Sequence, residues 1–369
     1  MKTEFSFNFG AFPSRVVIRE ELPALEEIAG AGFSEGGKAL LVCDGNTEVF
    51  ARAVAGNSAV PLCVLPPGEN SKTWASAESV IRAAKEGGLG RDGVFIGVGG
   101  GVVSDLTAFC ASVYMRGASL RLVSTTLLGM VDAGVGGKTG FDLLGIKNLT
   151  GTFYPAELVW MPVSCLDTLP EREWKSGIAE LLKTAILEGG GFWDLAKTLK
   201  DSRKALASCI ARCAAFKGRI VEADPRESAG SGGGNTRAVL NLGHTFGHAL
   251  EAAAGLGVLT HGEAVAWGMV RSCELGSVLG VTPRERALEI QKTIAAFGYE
   301  IRDPHPRCKD PGVFMKALEG DKKKKSGKLQ FVVPARQGAE CLEIGTFRDS
   351  ENSSGEELIL RIINGEYPL

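Results

Sequence analysis

The stretch GVFIGVGGGVVSDLTAFCASV, residues 93–113, decides the fold. A short apolar run ends in Gly99, Gly100 and Gly101 and passes directly into a helical pattern. A strand that turns through glycines into a helix opens a βα unit. There the backbone can approach a pyrophosphate and offer amide donors at a helix N-terminus. Asp105 is expected in the first turn of that helix. The spacing departs from the standard dinucleotide fingerprint, because Gly97 and Gly99 are followed by Val102 where a third glycine would stand. Taken alone, the stretch reads equally as a tight turn without a ligand.

Working outward, further strands are expected at 15–20 (RVVIRE), 39–44 (ALLVCD), 59–66 (AVPLCVLP) and 119–126 (SLRLVSTT). Between them lie helical patterns such as SKTWASAESVIRAAKEGG, with Trp74, Val80, Ile81 and Ala84 at helical period. Alternating strand and helix is the signature of a parallel sheet with crossover helices. From about residue 159 long helical patterns take over: WKSGIAELLKTAILEG, KALASCIARCAAFKGRIVEAD, AVLNLGHTFGHALEAAAG and HGEAVAWGMVRSCELGSVLG. Two domains follow: an α/β domain with a Rossmann-like parallel sheet over 1–158, and a mainly α-helical domain over 159–369. A chain of 369 residues is long enough for two cores. Residues 228–236, SAGSGGGNT, form a flexible polar loop within the second half, and RDSENSSGEE after residue 340 precedes a last short helix, ELILRII.

The bulk numbers exclude several classes. Hydrophobic content of 44%, charged content of 23% and a net charge of −2 belong to an ordinary globular protein, and nothing advertises a nucleic acid or membrane partner. No run of 18 apolar residues occurs, and the N-terminus lacks the apolar stretch of a signal peptide. Nine cysteines without a C-x-x-C pair fit a reduced, cytoplasmic chain.

Three of the four histidines, His244, His248 and His261, lie close together in sequence. His244 and His248 share a helix face, and His261 opens the next helix behind a T-x-x-E capping box formed by Thr260 and Glu263. Two histidines four apart suit two ligands of one metal, one ligand plus a substrate contact, or packed core rings. With Glu180 of SGIAELLKTA, the set contains what a catalytic zinc requires, three protein ligands from His and carboxylate. An H-E-x-x-H protease is excluded, since Thr245, Phe246 and Gly247 separate the pair.

Other polar positions await a ligand or a turn. Asp44-Gly45-Asn46 closes a strand where an acid can meet ribose hydroxyls, or where an ordinary turn would stand. PPGENSK (66–72) offers Glu69 and Lys72, which also read as solvated surface. Arg116, Lys138, Lys147, Lys183, Lys217 and Arg237, several beside glycine or asparagine, point to an anionic substrate. GGKTG (136–140) lacks the first glycine of a Walker motif, which argues against a nucleotide triphosphatase. The run DKKKK (321–325) reads as a solvated face from which one lysine can close over a phosphate.

Together these segments resemble the 3-dehydroquinate synthases, members of the sugar phosphate cyclase superfamily and the second step of the shikimate pathway. The resemblance runs from about residue 40 to residue 335. It is carried by PPGENSK, GVGGGVVSDLTAFCASVYMRG, STTLLGMVDAGVGGKTG, GIKNLTGTFYP, SGIAELLKTA, LNLGHTFGHALE and HGEAVAWGM. It implies an N-terminal NAD-binding domain, a C-terminal metal-binding domain and a homodimer. Glu180, His244 and His261 would ligate Zn2+ or Co2+, and His248 would face the substrate's phosphate end. Asp44, Asn46, Glu69, Lys72, Gly99, Gly100, Gly101, Asp105, Thr125 and Thr126 would hold NAD, with Asp132 near the nicotinamide and Lys138 and Lys147 on the same side. Lys138, Asn148, Asn241 and Lys322 or Lys323 would bind substrate, and Lys183, Lys217 and Arg237 would face its carboxylate. Arg116 would reach the phosphate across the dimer interface. The SAGSGGGNT segment is longer and richer in glycine than the family pattern.

The implied activity converts 3-deoxy-arabino-heptulosonate 7-phosphate to 3-dehydroquinate and phosphate. The steps are transient oxidation at C5, phosphate elimination, re-reduction, ring opening and aldol closure. A metal on the C4 and C5 hydroxyls would acidify the C5 alcohol, cations would stabilise the departing phosphate, and that phosphate can itself take the C6 proton. Competing readings are a sister cyclase acting on another sugar phosphate, a metal-dependent polyol dehydrogenase, and a catalytically inactive nucleotide-binding protein. Lys217 and Asn241 favour the carboxylated heptulosonate over the first, and intact Glu180, His244, His261 and Lys138 argue against the last.

Overall fold

The computed structural model describes residues 2–30, 33, 38–144, 146–227, 237–255, 257–303, 305–306, 310–324, 329–343 and 355–367. The chain divides into two compact units, Met1–Trp174 with Lys217–Arg226, and Lys175–Phe216 with Glu227–Leu369. The first unit thus extends past the expected boundary at residue 158, because the strand that follows completes its sheet.

The first unit is built on a seven-stranded sheet in the order β1-β2-β9-β6-β5-β3-β4. Its strands are β1 (Thr3–Phe9), β2 (Phe12–Arg19), β3 (Ala39–Asp44), β4 (Leu62–Leu65), β5 (Val94–Gly99), β6 (Ser119–Ser124) and β9 (Leu158–Pro162). All pairings are parallel except β1 with β2. The central strands read as continuous apolar runs because helices cover both faces of such a sheet; β5 is buried at every residue. Edge strand β1 alternates instead, as a half-exposed strand should. The helices are α1 (Leu25–Ala29), α2 (Glu48–Ala55), α3 (Trp74–Glu86) and α4 (Gly101–Val113). A small antiparallel hairpin pairs β7 (Phe141–Leu143) with β8 (Ile146–Thr150).

Strand order determines where a ligand can bind. From β3 the chain moves outward to β4 on one side, then returns to β5 on the other and continues to β6. The reversal between β3 and β5 is a topological switch point, and ligands of open α/β sheets sit beyond the carboxyl ends of strands at that point. Asp44 ends β3 and Gly99 ends β5.

The second unit is mainly helical, with α5 (Glu171–Glu188), α6 (Gly190–Lys197), α7 (Leu206–Ala223), α8 (His244–Ala254), α9 (His261–Val278), α10 (Arg284–Ala296), α11 (Pro311–Lys324) and α12 (Gly355–Ile363). The terminal residues of α7, from Lys217, and the first residues of α5 belong to the first unit. A hairpin of β10 (Gln330–Pro334) and β11 (Ala339–Glu343) completes it. Phe246, Trp267, Phe314, Phe331, Ile359 and Ile362 meet in its core. Among the described residues no helix is long and apolar enough to cross a membrane.

One expected helix is broken. The pattern AVLNLGHTFGHALEAAAG folds as a 3-10 turn, Arg237–Asn241, followed by α8. Gly243 separates them with φ of 78°, in the left-handed region that glycine tolerates without strain. A Cβ there would also lie 2.8 Å from the Met269 nitrogen and 2.9 Å from the Val265 oxygen. Side-chain period cannot register such a break, because the apolar residues stay in phase across it.

Helices α8 and α9 touch backbone to backbone through glycines. A Cβ on Gly268 would stand 2.0 Å from the Gly243 oxygen, and one on Gly247 would stand 3.0 Å from the Ala264 oxygen. Gly268→Ala therefore has no relaxed solution, and we expect it to lose about 3 kcal/mol or more of stability. Gly191→Ala, in α6 with nothing within 4 Å of its added methyl, should be neutral or stabilise by up to about 1 kcal/mol. Thermal unfolding of the two variants checks the contrast; equal midpoints would contradict the close packing.

Candidate functional site

In the helical unit, Glu180, His244 and His261 come from three helices. Helix α5 carries Glu180 on a fully buried turn. Gly262, the second residue of α9, lies against that helix, since a Cβ on it would fall 2.4 Å from the Ser176 Cα, and its N–H donates to Ser176 Oγ at 3.2 Å. The start of α9 is fixed by the expected capping box. Thr260 Oγ1 accepts from the Glu263 N–H at 3.2 Å, and Glu263 Oε2 accepts from the Thr260 N–H at 2.7 Å. His261 therefore projects from a rigid first turn.

The three ligand atoms converge. Glu180 Oε1 lies 3.5 Å from His244 Nε2 and 3.2 Å from His261 Nε2. For a tetrahedral ion with bonds near 2.0–2.1 Å, neighbouring ligand atoms should be about 3.3–3.4 Å apart. The two carboxylate-to-imidazole spacings and the donor chemistry suit such an ion, and all three ligand atoms lie within 4.8 Å of one another. Both rings also turn the same way: each Nε2 faces Glu180, while Nδ1 of His244 meets the Leu242 carbonyl at 3.2 Å and Nδ1 of His261 meets Glu251 Oε2 at 3.4 Å. Metal-bound histidines commonly anchor their second nitrogen in this manner.

The electrostatics of the two rings differ. Burial holds His244 well below the ordinary histidine pKa, and the nearby Lys183 ammonium pushes it the same way, so this ring is neutral. Burial also opposes charge on His261, but contacts with Glu180 and Glu251 outweigh it and raise its pKa to about 10. Lys183 Nζ lies 2.5 Å from Glu180 Oε2, both side chains being essentially inaccessible. A positive charge thus stands against a carboxylate bared of water, one turn along α5.

His248 stands one turn beyond His244 on α8, exposed, its ring centroid 5.3 Å from that of His244. Arg237 is buried on the 3-10 turn, where Asn241 Nδ2 donates to Glu227 Oε1 at 3.3 Å. Lys322 and Lys323 fall in the last turns of α11, but their side chains lie outside the described ones, as does the loop 228–236. Glu251, which the sequence reading passed over, lies among His248 and His261 with ligand atoms within 4.8 Å. Its spacing of seven from His244 and three from His248 places it on their helix face, a signal that was available.

In the first unit, Lys72 is the centre of a polar group. Its ammonium lies 2.5 Å from Asp105 Oδ2 and 2.5 Å from Asn148 Oδ1. Burial works against its charge, yet the carboxylates of Asp105 and Glu69 outweigh burial and raise its pKa. Glu69 itself is exposed. Asp105 does not stand in the first turn of α4 as expected. The helix begins at Gly101, so Asp105 falls one residue later, in the second turn, where it can meet Lys72. Asn148 has φ of 53°, and its N–H donates to Asp142 Oδ1 at 2.8 Å.

The glycine turn is as tight as the sequence predicts. A Cβ on Gly99 would lie 2.7 Å from Val103, and one on Gly100 would lie 2.8 Å from Thr126. Thr125 Oγ1 is buried with no hydrogen-bond partner, and Thr126 Oγ1 accepts from the Gly129 N–H at 3.1 Å. This hydroxyl beside a helix N-terminus at the switch point fits a dinucleotide. Asp44 already serves its own turn, Oδ1 accepting from the Asn46 N–H and the Thr47 N–H, each at 3.0 Å. Asp132 lies in a π-turn, Gly129–Ala133, and Lys217 Nζ donates to its carboxylate at 2.8 Å and to its carbonyl at 2.7 Å. Lys138 is exposed and Lys147 half-buried near the β7-β8 hairpin. Arg116 follows α4 with φ of 71°, after Met115 with φ of 48°; consecutive left-handed residues that are not glycine mark a strained corner.

A Rossmann-like sheet followed by a helical unit that presents one carboxylate and two imidazoles defines a class of nucleotide- and metal-dependent enzymes. The comparisons narrow it. The 3-dehydroquinate synthase N-terminal model matches residues 62–176, and the 3-dehydroquinate synthase C-terminal model matches residues 177–324. The chain belongs to the 3-dehydroquinate synthase family. It is 38% identical over 326 residues to a 3-dehydroquinate synthase of Prochlorococcus marinus (strain MIT 9303), covering 85% of each. Among solved structures it is similar to ValA, the 2-epi-5-epi-valiolone synthase of Streptomyces hygroscopicus subsp. jinggangensis 5008 with NAD+ and Zn2+ bound. That match has a TM-score of 0.73 at 26% identity, covering 96% of this chain and 97% of the other. It shares its fold with a 2-deoxy-scyllo-inosose synthase complexed with carbaglucose-6-phosphate, NAD+ and Co2+. The TM-score is 0.79 at 21% identity, covering 98% and 99%.

Ligation needs neutral imidazoles, so a cation entering this group must displace the proton of His261 and need displace none from His244. Near neutral pH, zinc binding should release about one proton per chain, and affinity should rise roughly tenfold per pH unit until the pH nears that of His261. Calorimetric titration of the metal-free chain in buffers of different ionisation enthalpy measures this; binding without proton release would contradict it.

Proposed function

We propose that this chain catalyses the 3-dehydroquinate synthase reaction, taking 3-deoxy-arabino-heptulosonate 7-phosphate to 3-dehydroquinate and inorganic phosphate. The observation that carries the reading is the convergence of Glu180, His244 and His261, ligand atoms within 4.8 Å of one another, in a chain of this family. When bound, NAD supplies a reversible oxidation at C5 and the divalent cation, zinc or cobalt, supplies acidity to the alcohol being oxidised.

The chain's own residues do the rest. Glu180, His244 and His261 hold the cation, and Lys183 pairs with Glu180. The glycine turn with Thr125, Asp105 and Lys72 holds the dinucleotide, and Asp44, Asn46, Glu69, Thr126 and Lys147 line its approach. Asp132 orients Lys217, whose ammonium faces the substrate carboxylate together with Arg237. Lys138, Asn148, Asn241 and one of Lys322 or Lys323 bind the sugar phosphate, and His248 meets its phosphate end. Cations placed on the phosphate stabilise the charge that develops as it leaves. The protein works as a cytoplasmic homodimer in which Arg116 serves the partner's substrate; the strained corner at Met115 and Arg116 supports that placement, because strain of this kind persists where function needs it.

A phosphate-release assay on the heptulosonate phosphate tests the reading. Phosphate should appear with catalytic NAD, no NADH should accumulate, and chelator should stop turnover. Stoichiometric NADH without phosphate would instead identify a polyol dehydrogenase, and turnover of an uncarboxylated sugar phosphate alone would identify a sister cyclase. His261→Ala should abolish metal-dependent turnover. His248→Ala should keep zinc and lower phosphate release; loss of zinc there would mean that His248 is a ligand.

A further inference from the structure

Resting on the metal assignment above, we propose that Glu251 is a positioning residue for the cation. It accepts a hydrogen bond from His261 Nδ1, so that the proton resides on that nitrogen and the lone pair of Nε2 points toward Glu180. The two imidazoles are anchored unequally. His244 leans on a neutral backbone carbonyl, that of Leu242, whereas His261 leans on a carboxylate. The carboxylate is brought there by helix geometry: Glu251 is seven residues after His244 on α8, and α9 begins with His261 directly opposite because glycines let the two helices meet.

The unequal anchoring matters because His261 is the more accessible of the two rings, its side chain 31% exposed against 13% for His244. An exposed ring on the first residue of a helix has rotamers to lose, and a carboxylate acceptor removes them. It also makes the imidazole a stronger donor to a cation than a carbonyl acceptor would. Glu251 touches neither the ion nor the reacting atoms in this scheme, and acts through His261.

The test uses the full-length chain stripped of metal, titrated with Zn2+ against a chromophoric chelator and with Co2+ by its visible spectrum. Glu251→Ala should weaken zinc binding on the order of 10- to 100-fold and alter the cobalt spectrum. Glu251→Gln, whose amide oxygen can still accept from Nδ1–H, should recover most of the affinity. The metal-free chain should stay cooperatively folded in all three, with Glu251→Ala somewhat less stable near neutral pH because it loses the contact with protonated His261. Wild-type affinity in Glu251→Ala overturns the proposal, as does Glu251→Gln binding no better than Glu251→Ala. Two ions per wild-type chain with one lost in Glu251→Ala would also overturn it, because Glu251 would then be a ligand. Failure of the wild-type chain to bind zinc would fell the metal assignment itself.

Discussion

The candidate chemistry depends on a steric constraint: three helices of the second unit approach until their backbones touch. Gly268 meets the carbonyl of Gly243, Gly247 meets the backbone at Ala264, and Gly262 meets the backbone of Ser176. Helices packed through ordinary side chains stand 8–10 Å apart at their axes. A Cβ at any of these contacts would press the helices apart and shift the ends of Glu180, His244 and His261 relative to one another. Glycine at these contacts is therefore a determinant of the site, although none of these glycines carries a functional group.

A second consequence concerns charge. Glu180 is inaccessible and would be costly as a lone carboxylate. Lys183 offsets that cost on one oxygen, and leaves the other directed at two imidazole nitrogens. His261 completes the balance in the absence of a cation by carrying a proton. The group is thus electrically settled both with a proton and with a divalent ion. The first unit buries a cation by similar logic: Lys72 is held against Asp105 and Asn148, which offset the cost of removing its ammonium from water.

Much of this was legible in the sequence, and the limits have physical causes. Strands β3, β5 and β6 were readable because central parallel strands are apolar throughout, and α9 because its capping box announces its start. Strand β9 was missed. Its five residues, LVWMP, are buried but too short and too close to proline and glycine-rich loops to separate from a connection. The antiparallel edge strand β1 alternates Phe5, Phe7 and Phe9 with polar residues, a strand signal that was available and passed over. The break at Gly243 and the placement of Asp105 turn on φ and on where a helix begins, which a periodic pattern does not encode.

The site residues divide along the same line. Histidines are rare in this chain, so their clustering could be noticed, and Glu180 followed from the family pattern. Glu251 is one of many glutamates, and although its spacing put it on the helix face of His244 and His248, the contact with His261 is what gives it a role. Lysines behaved in the opposite way: Lys72 reads as an ordinary surface residue in PPGENSK but is buried, because a loop's composition says nothing about what the neighbouring helix and hairpin fold over it. A scarce residue type can be assigned from its position in the chain, whereas an abundant one gains its meaning from the partner that folding brings to it.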